Sequence, residues 1–156
     1  MDRKTLKVII YKYDTDLWER NIRDSKVLGF YALEKKFIGY EYCYSNDFNS
    51  KLYAKARTNA LQTEEHKGRG NKNYNTICKL CKEPENLVHF IIKCKKLEGS
   101  RNYEILNKDI KDPEVRLRAF LFRNKNYKQV SKQIRDLWEH KKKLIKLILL
   151  KNNNEY

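Results

Sequence analysis

The stretch from residue 78 to residue 94 decides the fold of this chain, and it reads Cys78-Lys-Leu-Cys81-Lys-Glu-Pro-Glu-Asn-Leu-Val-His89-Phe-Ile-Ile-Lys-Cys94. Three cysteines and one histidine fall within 17 residues in the pattern C-x2-C-x7-H-x4-C. Two cysteines separated by two residues suit a tight turn that places both sulfurs on one side of a metal ion. Three thiolates and an imidazole suit Zn²⁺, and four protein ligands leave no open coordination position. The motif therefore predicts a closed, structural zinc site with four ligands: Cys78, Cys81, His89 and Cys94.

Apolar residues within the motif are expected to pack around the metal, and residues 87–94 are expected to be helical. A helical stretch places His89 and Cys94 within about one and a half turns of each other, so both can reach one ion. Two alternatives remain open, namely ordinary buried cysteines with a core histidine, and disulfide or redox use. Cys43 has no local partner and is interpreted as a buried small side chain. His66 is a reserve ligand.

The rest of the 156 residues favours one domain, or one domain with an appended helical element. Five glycines and two prolines are too few for a many-stranded β fold. We predict a mainly α-helical chain, a small helical domain built around a structural CCHC zinc knuckle, with a long basic C-terminal helix. Three regions are expected: an N-terminal helical region (1–63), a basic loop and knuckle (64–101), and C-terminal helices with a frayed tail (102–156).

Capping residues and apolar spacing predict the individual helices. Helices are expected after Asp47, after Asp112-Pro113, and from Tyr127 to Lys151. Near the N-terminus, Asp14-Thr15-Asp16 offers caps for a helix carrying Leu17, Trp18 and Ile22, whereas residues 8–11 fit either a helix or a short strand. Residues 64–77 carry no apolar period and are predicted to form a mobile basic loop.

The charge balance points to a polyanionic partner. Lysine and arginine number 35 against 20 acidic residues, which gives a net charge of +15. A field of that sign attracts nucleic acid first and anionic membrane surfaces second. Residues 51–101 hold twelve of these cations against five glutamates. Seven of the twelve are predicted phosphate contacts, although a solvated rim without a ligand is the alternative: Arg57, Arg69, Lys72, Lys79, Lys93, Lys95 and Arg101.

The predicted helix over residues 127–151 has an apolar stripe interrupted by lysines. Its eight cations and two acidic residues fit three arrangements. It packs on the body with its lysines in water, it binds a protein partner or a membrane surface, or it self-associates. No apolar segment is long enough to span a bilayer, and no signal peptide is apparent. We therefore expect an intracellular protein, with the nucleus as a candidate compartment.

Five sequence features follow one another along the chain. They are the run Lys51-Leu-Tyr-Ala-Lys-Ala-Arg-Thr-Asn-Ala-Leu61, the pair Gly68-Arg69, the C-x2-C, the stretch His89-Phe-Ile-Ile-Lys-Cys94 and Arg101. Over residues 51–101 this order resembles the C-terminal region of non-LTR (LINE-type) retrotransposon reverse transcriptases. Asn59 stands where that family usually has glycine. The resemblance implies a zinc finger that follows the polymerase domain and helps to hold template RNA or target DNA.

The polymerase itself has no counterpart in this sequence. No Tyr/Phe-x-Asp-Asp occurs, and Tyr13-Asp14-Thr15-Asp16 lacks the adjacent aspartates that two Mg²⁺ ions require. The chain is therefore expected to be a fragment or a stand-alone descendant of that region, and not an enzyme. The resulting hypothesis is a zinc-dependent nucleic-acid-binding protein. The alternative is a zinc-stabilised protein-interaction adaptor that acts through residues 127–151.

Overall fold

The computed structural model describes residues 2–25, 28–35, 41 and 47–153, and these residues are mainly helical. Within them, two π-helical turns, His89–Lys93 and Ala119–Arg123, and a 3₁₀ helix, Lys95–Ser100, accompany the α-helices. The β-type pairing found in this part of the chain is an isolated antiparallel bridge between Ile77 and Pro84. The prediction of a mainly helical chain with a long C-terminal helix is confirmed. The α-helices are α1 (Arg3–Arg23), α2 (Gly29–Glu34), α3 (Phe48–Arg57), α4 (Glu64–Lys67), α5 (Tyr103–Leu106), α6 (Pro113–Arg118) and α7 (Tyr127–Asn153).

Helices α3 and α6 begin at the caps that the sequence predicts. The carboxylate of Asp47 accepts a hydrogen bond from the Ser50 amide at 3.0 Å, and that of Asp112 accepts one from the Val115 amide at 2.8 Å. Pro113 occupies the start of α6, where its missing N–H leaves no helical hydrogen bond unmade. Both helix starts are therefore fixed by local chemistry.

Helix α3 ends in a left-handed residue. Asn59 has φ of 51°, and its amide donates to the carbonyl of Ala56 while the amide of Ala60 donates to that of Lys55. This pair of bonds is the Schellman arrangement, whose left-handed position glycine usually fills and asparagine tolerates. The chain turns there toward the cysteine-containing segment.

One hydrophobic core draws on all three predicted regions. Leu52 and Ala56 of α3, Phe90 and Ile91 of the first π-helical turn, and Leu137 of α7 belong to a single cluster of buried side chains. Helix α7 packs on α3 and on the 3₁₀ helix, and α6 packs on the first π-helical turn. The segment that contains the cysteines is thus held between α7 and α6.

The stripe of α7 is buried over only part of its length. Val130, Ile134 and Leu137 are fully buried, whereas Ile148 and Leu149 are 38% and 58% exposed. The body of the protein supports the helix as far as Ile145, and residues 147–150 extend beyond it. Among the described residues, none of the helices combines the length and apolar character needed to cross a bilayer.

The N-terminal segment differs from the expected short helices. Residues 3–23 form one helix, α1, which Asp2 caps by accepting from the Lys4 and Thr5 amides at 2.7 and 3.0 Å. The Thr15 hydroxyl donates to the Tyr11 carbonyl at 2.8 Å, which satisfies this polar side chain inside a continuous helix. Residues 8–11 are therefore helical and not a strand. Ile22 is the buried residue of α1.

Residues 64–77 are more structured than the predicted mobile loop. Helix α4 occupies the start of this segment, and Thr63 caps it. The Tyr74 hydroxyl then donates to the Glu64 carboxylate at 2.8 Å and draws the segment back onto α4. Gly68 lies at the crossing, where a Cβ atom would come within 2.9 Å of the Thr76 side chain. The segment without an apolar period is therefore a compact turn that polar contacts hold in place.

Candidate metal centre

The first two cysteines lie on a small hairpin over residues 76–85, which we call the cysteine hairpin. The Cys78 amide donates to the Glu83 carbonyl at 2.8 Å, and the Glu85 amide donates to the Thr76 carbonyl at 2.9 Å. At the tip, the Lys82 amide donates to the Cys78 carbonyl at 3.0 Å, and Lys82 itself is left-handed with φ of 67°. This turn orients Cys78 and Cys81 toward the same space.

The other two candidate ligands lie on the π-helical turn that follows. Asn86 begins it, because its side-chain oxygen accepts from the His89 amide at 2.8 Å. The Cys94 amide then donates to the His89 carbonyl at 2.7 Å, which is a bond across five residues. A π-type bond brings residues five apart onto one side of the chain, whereas a regular α-helix would separate them. The wide turn thus gathers His89 and Cys94.

The four side chains converge, as the motif predicts. Their ligand atoms all lie within 4.8 Å of one another. Cys81 Sγ is 3.2 Å from His89 Nε2, and Cys94 Sγ is 4.0 and 3.9 Å from the sulfurs of Cys78 and Cys81. These separations are too long for a disulfide, whose sulfurs are about 2.05 Å apart. They are close to the edges of a tetrahedral zinc site, about 3.8 Å between sulfurs and about 3.6 Å from sulfur to nitrogen. The cluster could therefore hold one metal ion.

Burial controls the protonation of the cluster. Cys78, His89 and Cys94 are nearly inaccessible, and Cys81 is half-buried. Burial raises the pKa of the Cys78 thiol to about 12 and raises that of Cys94, while it lowers the pKa of His89. Without a metal, the Cys78 and Cys94 thiols keep their protons and the His89 imidazole stays neutral. A divalent cation supplies the charge that stabilises buried thiolates, so its binding releases protons.

Two charged residues flank the cluster. Glu83 Oε2 lies 3.7 Å from His89 Nδ1, on the ring nitrogen that does not face Cys81. Metal-binding histidines commonly direct their second nitrogen at a carboxylate, which fixes the ring. On the other side, buried Arg101 donates through Nε to the Ile91 carbonyl at 2.8 Å. Arg101 therefore braces the backbone of the π-helical turn.

The cysteine hairpin is also tied to α7 by a buried ion pair, which sequence reasoning missed. Lys141 Nζ contacts the Glu85 carboxylate, and the side chains are 5% and 1% exposed. The same Lys141 nitrogen lies 5.4 Å from the ring centre of Phe90 and 5.9 Å from that of Trp138. The position of Lys141 could have indicated its burial, because it lies four residues after Leu137 on the buried stripe of the helix.

Five of the seven predicted phosphate contacts are exposed side chains between residues 64 and 101. Lys93 and Lys95 flank Cys94, and Lys79 is 56% exposed beside the cysteine hairpin. Arg69 Nη1 lies 2.8 Å from His66 Nδ1. The exposed five are Arg69, Lys72, Lys79, Lys93 and Lys95.

Arg57 and Arg101 are placed in the interior, which corrects their assignment as surface contacts. Arg57 is 5% exposed, pairs with Glu41 at 2.9 Å and lies 4.6 Å from the centre of the Phe122 ring. Arg101 is 9% exposed and bonded to the π-helical turn. Glu41 and the Phe122 ring compensate the burial of the Arg57 guanidinium, and the Ile91 carbonyl accepts from Arg101, so both residues have structural roles.

His66 and His140 do not join the cluster. Cys43 lies outside the described residues. His66 is half-buried and faces Arg69, and burial lowers its pKa. His140 is half-buried, and its Nδ1 contacts the Ser100 hydroxyl, so it is not simply solvated. Among the described residues, the candidate metal site therefore consists of the four predicted ligands.

Comparison with known proteins identifies no relative of this chain. No protein-family model matches this chain. No curated protein and no solved structure matches it either. The candidate function therefore depends on the metal centre and its surroundings.

Proposed function

We propose that this chain is a zinc-dependent nucleic-acid-binding protein that binds RNA or single-stranded or structured DNA. The observation that carries the proposal is a buried Cys₃His cluster set within a cationic surface. Residues 64–101 expose eight lysine and arginine side chains against three glutamates, because Glu64 and Glu85 are buried. Phosphates would release counterions on meeting such a surface. The eight are Lys67, Arg69, Lys72, Lys79, Lys82, Lys93, Lys95 and Lys96.

Zinc is the metal that suits this cluster best. Three cysteine sulfurs and one histidine nitrogen form a soft donor set with separations close to tetrahedral edges. Four protein ligands leave no position for water or substrate, so the ion would stabilise structure without taking part in a reaction. Its binding energy would fix the cysteine hairpin against the π-helical turn.

The resemblance over residues 51–101 supports the same function and suggests an origin. In this proposal the chain derives from the C-terminal region of a non-LTR retrotransposon reverse transcriptase and lacks the polymerase. Asn59, which replaces the usual glycine of that family, has the left-handed backbone that glycine readily adopts. The departure at this position is therefore compatible with the same helix exit.

Metal content and nucleic-acid binding should be measured on the same samples. We expect one zinc per chain by mass spectrometry, and salt-sensitive binding of labelled 12-nucleotide RNA and DNA by fluorescence anisotropy. Cys81→Ala should remove both the metal and the binding, because the site loses one of its four ligands. Cys43→Ala is the matched control, and it should retain one zinc and wild-type affinity.

Equal affinity of the zinc-loaded and chelator-treated protein would overturn zinc dependence. An absence of binding to every RNA and DNA probe, with zinc present, would overturn the nucleic-acid function.

A second candidate function is a zinc-stabilised adaptor that binds a protein partner or self-associates through α7. The observation that favours it is a run of four apolar residues at the free end of α7. Leu147, Ile148, Leu149 and Leu150 are 38% to 58% exposed. Sedimentation of the wild type and of Leu149→Glu distinguishes the two functions. Self-association that persists at high salt and is lost in the variant would favour the adaptor.

A further inference from the structure

Two neighbouring cavities lie beside Lys79 of the cysteine hairpin, and the smaller one reaches α7. One, of about 410 Å³, is lined by residues that include Tyr74, Ile77 and Lys82. The other, of about 250 Å³, is lined by residues that include Trp138 and Ile145. Glu64 and Lys79 line both cavities, so the two share a wall formed by these residues. We call the pair of cavities the lysine groove.

One aromatic ring lines each of the two cavities of the lysine groove. Tyr74 is half-buried, and its hydroxyl is fixed by the 2.8 Å hydrogen bond to Glu64. Trp138 is half-buried and packs edge-to-face on Phe90 with ring centres 5.8 Å apart. Both rings are held by contacts of the folded protein. A flat ligand would therefore meet surfaces that need little reorganisation.

Lysines dominate the charge of the groove. Five line it, while the carboxylates that line or touch them are Glu64, Glu85 and Glu139, which leaves a net of +2. Glu64 is fully buried and is engaged by Lys67 at 3.0 Å and by Tyr74. Lys79 and Lys142 are 56% and 55% exposed, and a phosphate there would compete with their ion pairs to Glu64 at 4.0 Å and to Glu139 at 2.8 Å. The five lysines are Lys67, Lys79, Lys82, Lys141 and Lys142.

The chemistry of the groove fits a polymer that presents flat rings and phosphates in alternation. Aromatic side chains stack on any unpaired base, and lysines along the same path neutralise the backbone. A base inside a duplex is already stacked and cannot use such a platform. A purely acidic peptide would meet the lysines but leave both rings unused.

We propose that the lysine groove binds single-stranded RNA or DNA, with unpaired bases stacked on Tyr74 and Trp138 and phosphates at Lys79, Lys82 and Lys142. This inference rests on the proposed nucleic-acid function and assigns it to one surface. It also places Trp138, Lys82 and Lys142 in the interface, which the seven sequence-predicted contacts did not include.

The fluorescence of Trp138 reports directly on stacking. Trp18→Phe leaves Trp138 as the single tryptophan. Titration of this zinc-loaded variant with 12-nucleotide oligo(U) or oligo(dT) should quench the emission, whereas a duplex of equal length should not. Comparison of the two single strands distinguishes RNA binding from DNA binding, because a difference in affinity between them reports on contacts to the 2′-hydroxyl. Tighter binding of the duplex would overturn the proposal.

Substitutions in the groove should change affinity in the pattern of stacking and phosphate contacts. Tyr74→Leu should weaken binding by about 5- to 150-fold, the range for loss of one stacked base, and Tyr74→Phe should retain it. Lys79→Gln with Lys142→Gln should reduce the magnitude of the slope of log affinity against log salt by about 1.4, or about 0.7 for each lysine. Lys108→Gln with Lys128→Gln, which are exposed lysines outside the groove, is the matched control.

These measurements also distinguish a failure of the groove assignment from a failure of the proposed nucleic-acid function. If the chain binds oligonucleotides but the groove and control pairs behave alike and Trp138 is not quenched, the groove assignment fails and the function stands. If no oligonucleotide binds, both fail. Quenching together with a reduced slope only in the groove pair would support both.

Discussion

Lys141 of α7 forms an ion pair with Glu85 of the cysteine hairpin, and the two residues are 56 positions apart in the chain. The Glu85 carboxylate also accepts the Glu64 amide at 3.0 Å, so one carboxyl group joins α4, the hairpin and α7. Because both side chains are buried, each charge depends on the other for compensation.

Removal of the Lys141 charge should destabilise the protein strongly. We expect Lys141→Met to lower the free energy of unfolding by about 3 to 5 kcal/mol, because Glu85 remains buried without its partner. Adding Glu85→Gln should recover much of the loss, since the amide oxygen can still accept from Glu64. Denaturant titration measures both values. Lys142→Met, at an exposed neighbouring position, should change stability by no more than about 0.5 kcal/mol.

Arg57 should affect stability without affecting recognition. Arg57→Gln leaves Glu41 with one fewer cation and removes the guanidinium from the Phe122 ring. Lys35 still pairs with Glu41 at 3.0 Å, so we expect a loss of about 1 to 3 kcal/mol on denaturation. Oligonucleotide affinity, measured at a temperature where the variant is folded, should equal that of the wild type. A large loss of affinity in the folded variant would restore Arg57 as a phosphate contact.

Glu64 should contribute to the loss of stability in acid. Burial alone would raise its pKa, but hydrogen bonds from Lys67 and Tyr74 outweigh burial and hold the pKa below its usual value. A lowered pKa in the folded state gives stability that is present above the unfolded pKa of about 4.3 and is lost as pH falls through the folded value. Glu64→Gln should therefore be less stable than wild type at pH 7. The difference should shrink below pH about 4, as denaturation at both pH values would show.

The helix exit at Asn59 should depend on its left-handed backbone. Asn59→Ala should cost about 1 kcal/mol, because a Cβ without a local hydrogen-bonding group disfavours that conformation. Asn59→Gly should be neutral or stabilising, since glycine adopts the conformation freely. Thermal unfolding of the two variants is the measurement. Equal destabilisation by both would contradict the backbone explanation and would indicate a role for the asparagine side chain.

Features set by neighbours in sequence were predictable. The caps at Asp47 and Asp112 act over three residues, and the four metal ligands lie within one short segment. The π-helical turn was not predicted, because an expected helix and a wide turn have the same local sequence preferences. Its geometry is nevertheless what brings His89 and Cys94 together.

Features set by distant partners were not predictable from local pattern. Arg57 was assigned to a phosphate contact, and lysines in water were one of the arrangements left open for the helix that contains Lys141, because charged residues are exposed in most proteins. Their burial depends on Glu85 and Glu41, which reach them only through the tertiary fold. In α1 the polar triplet at residues 14–16 predicted a break, yet the Thr15 hydroxyl bonds within the helix instead.

The separation between Glu85 and Lys141 has a consequence for synthesis on the ribosome. All four candidate ligands emerge within a short length of chain, so a metal ion can be captured by a nascent polypeptide before α7 is translated. The charge of Glu85 then stays hydrated until Lys141 arrives, because closing a contact across 56 positions requires the later segment. We expect a released fragment that ends near residue 110 to bind the ion reversibly. In the complete chain the pair between Lys141 and Glu85 fixes the cysteine hairpin, so exchange of the bound ion should be slower.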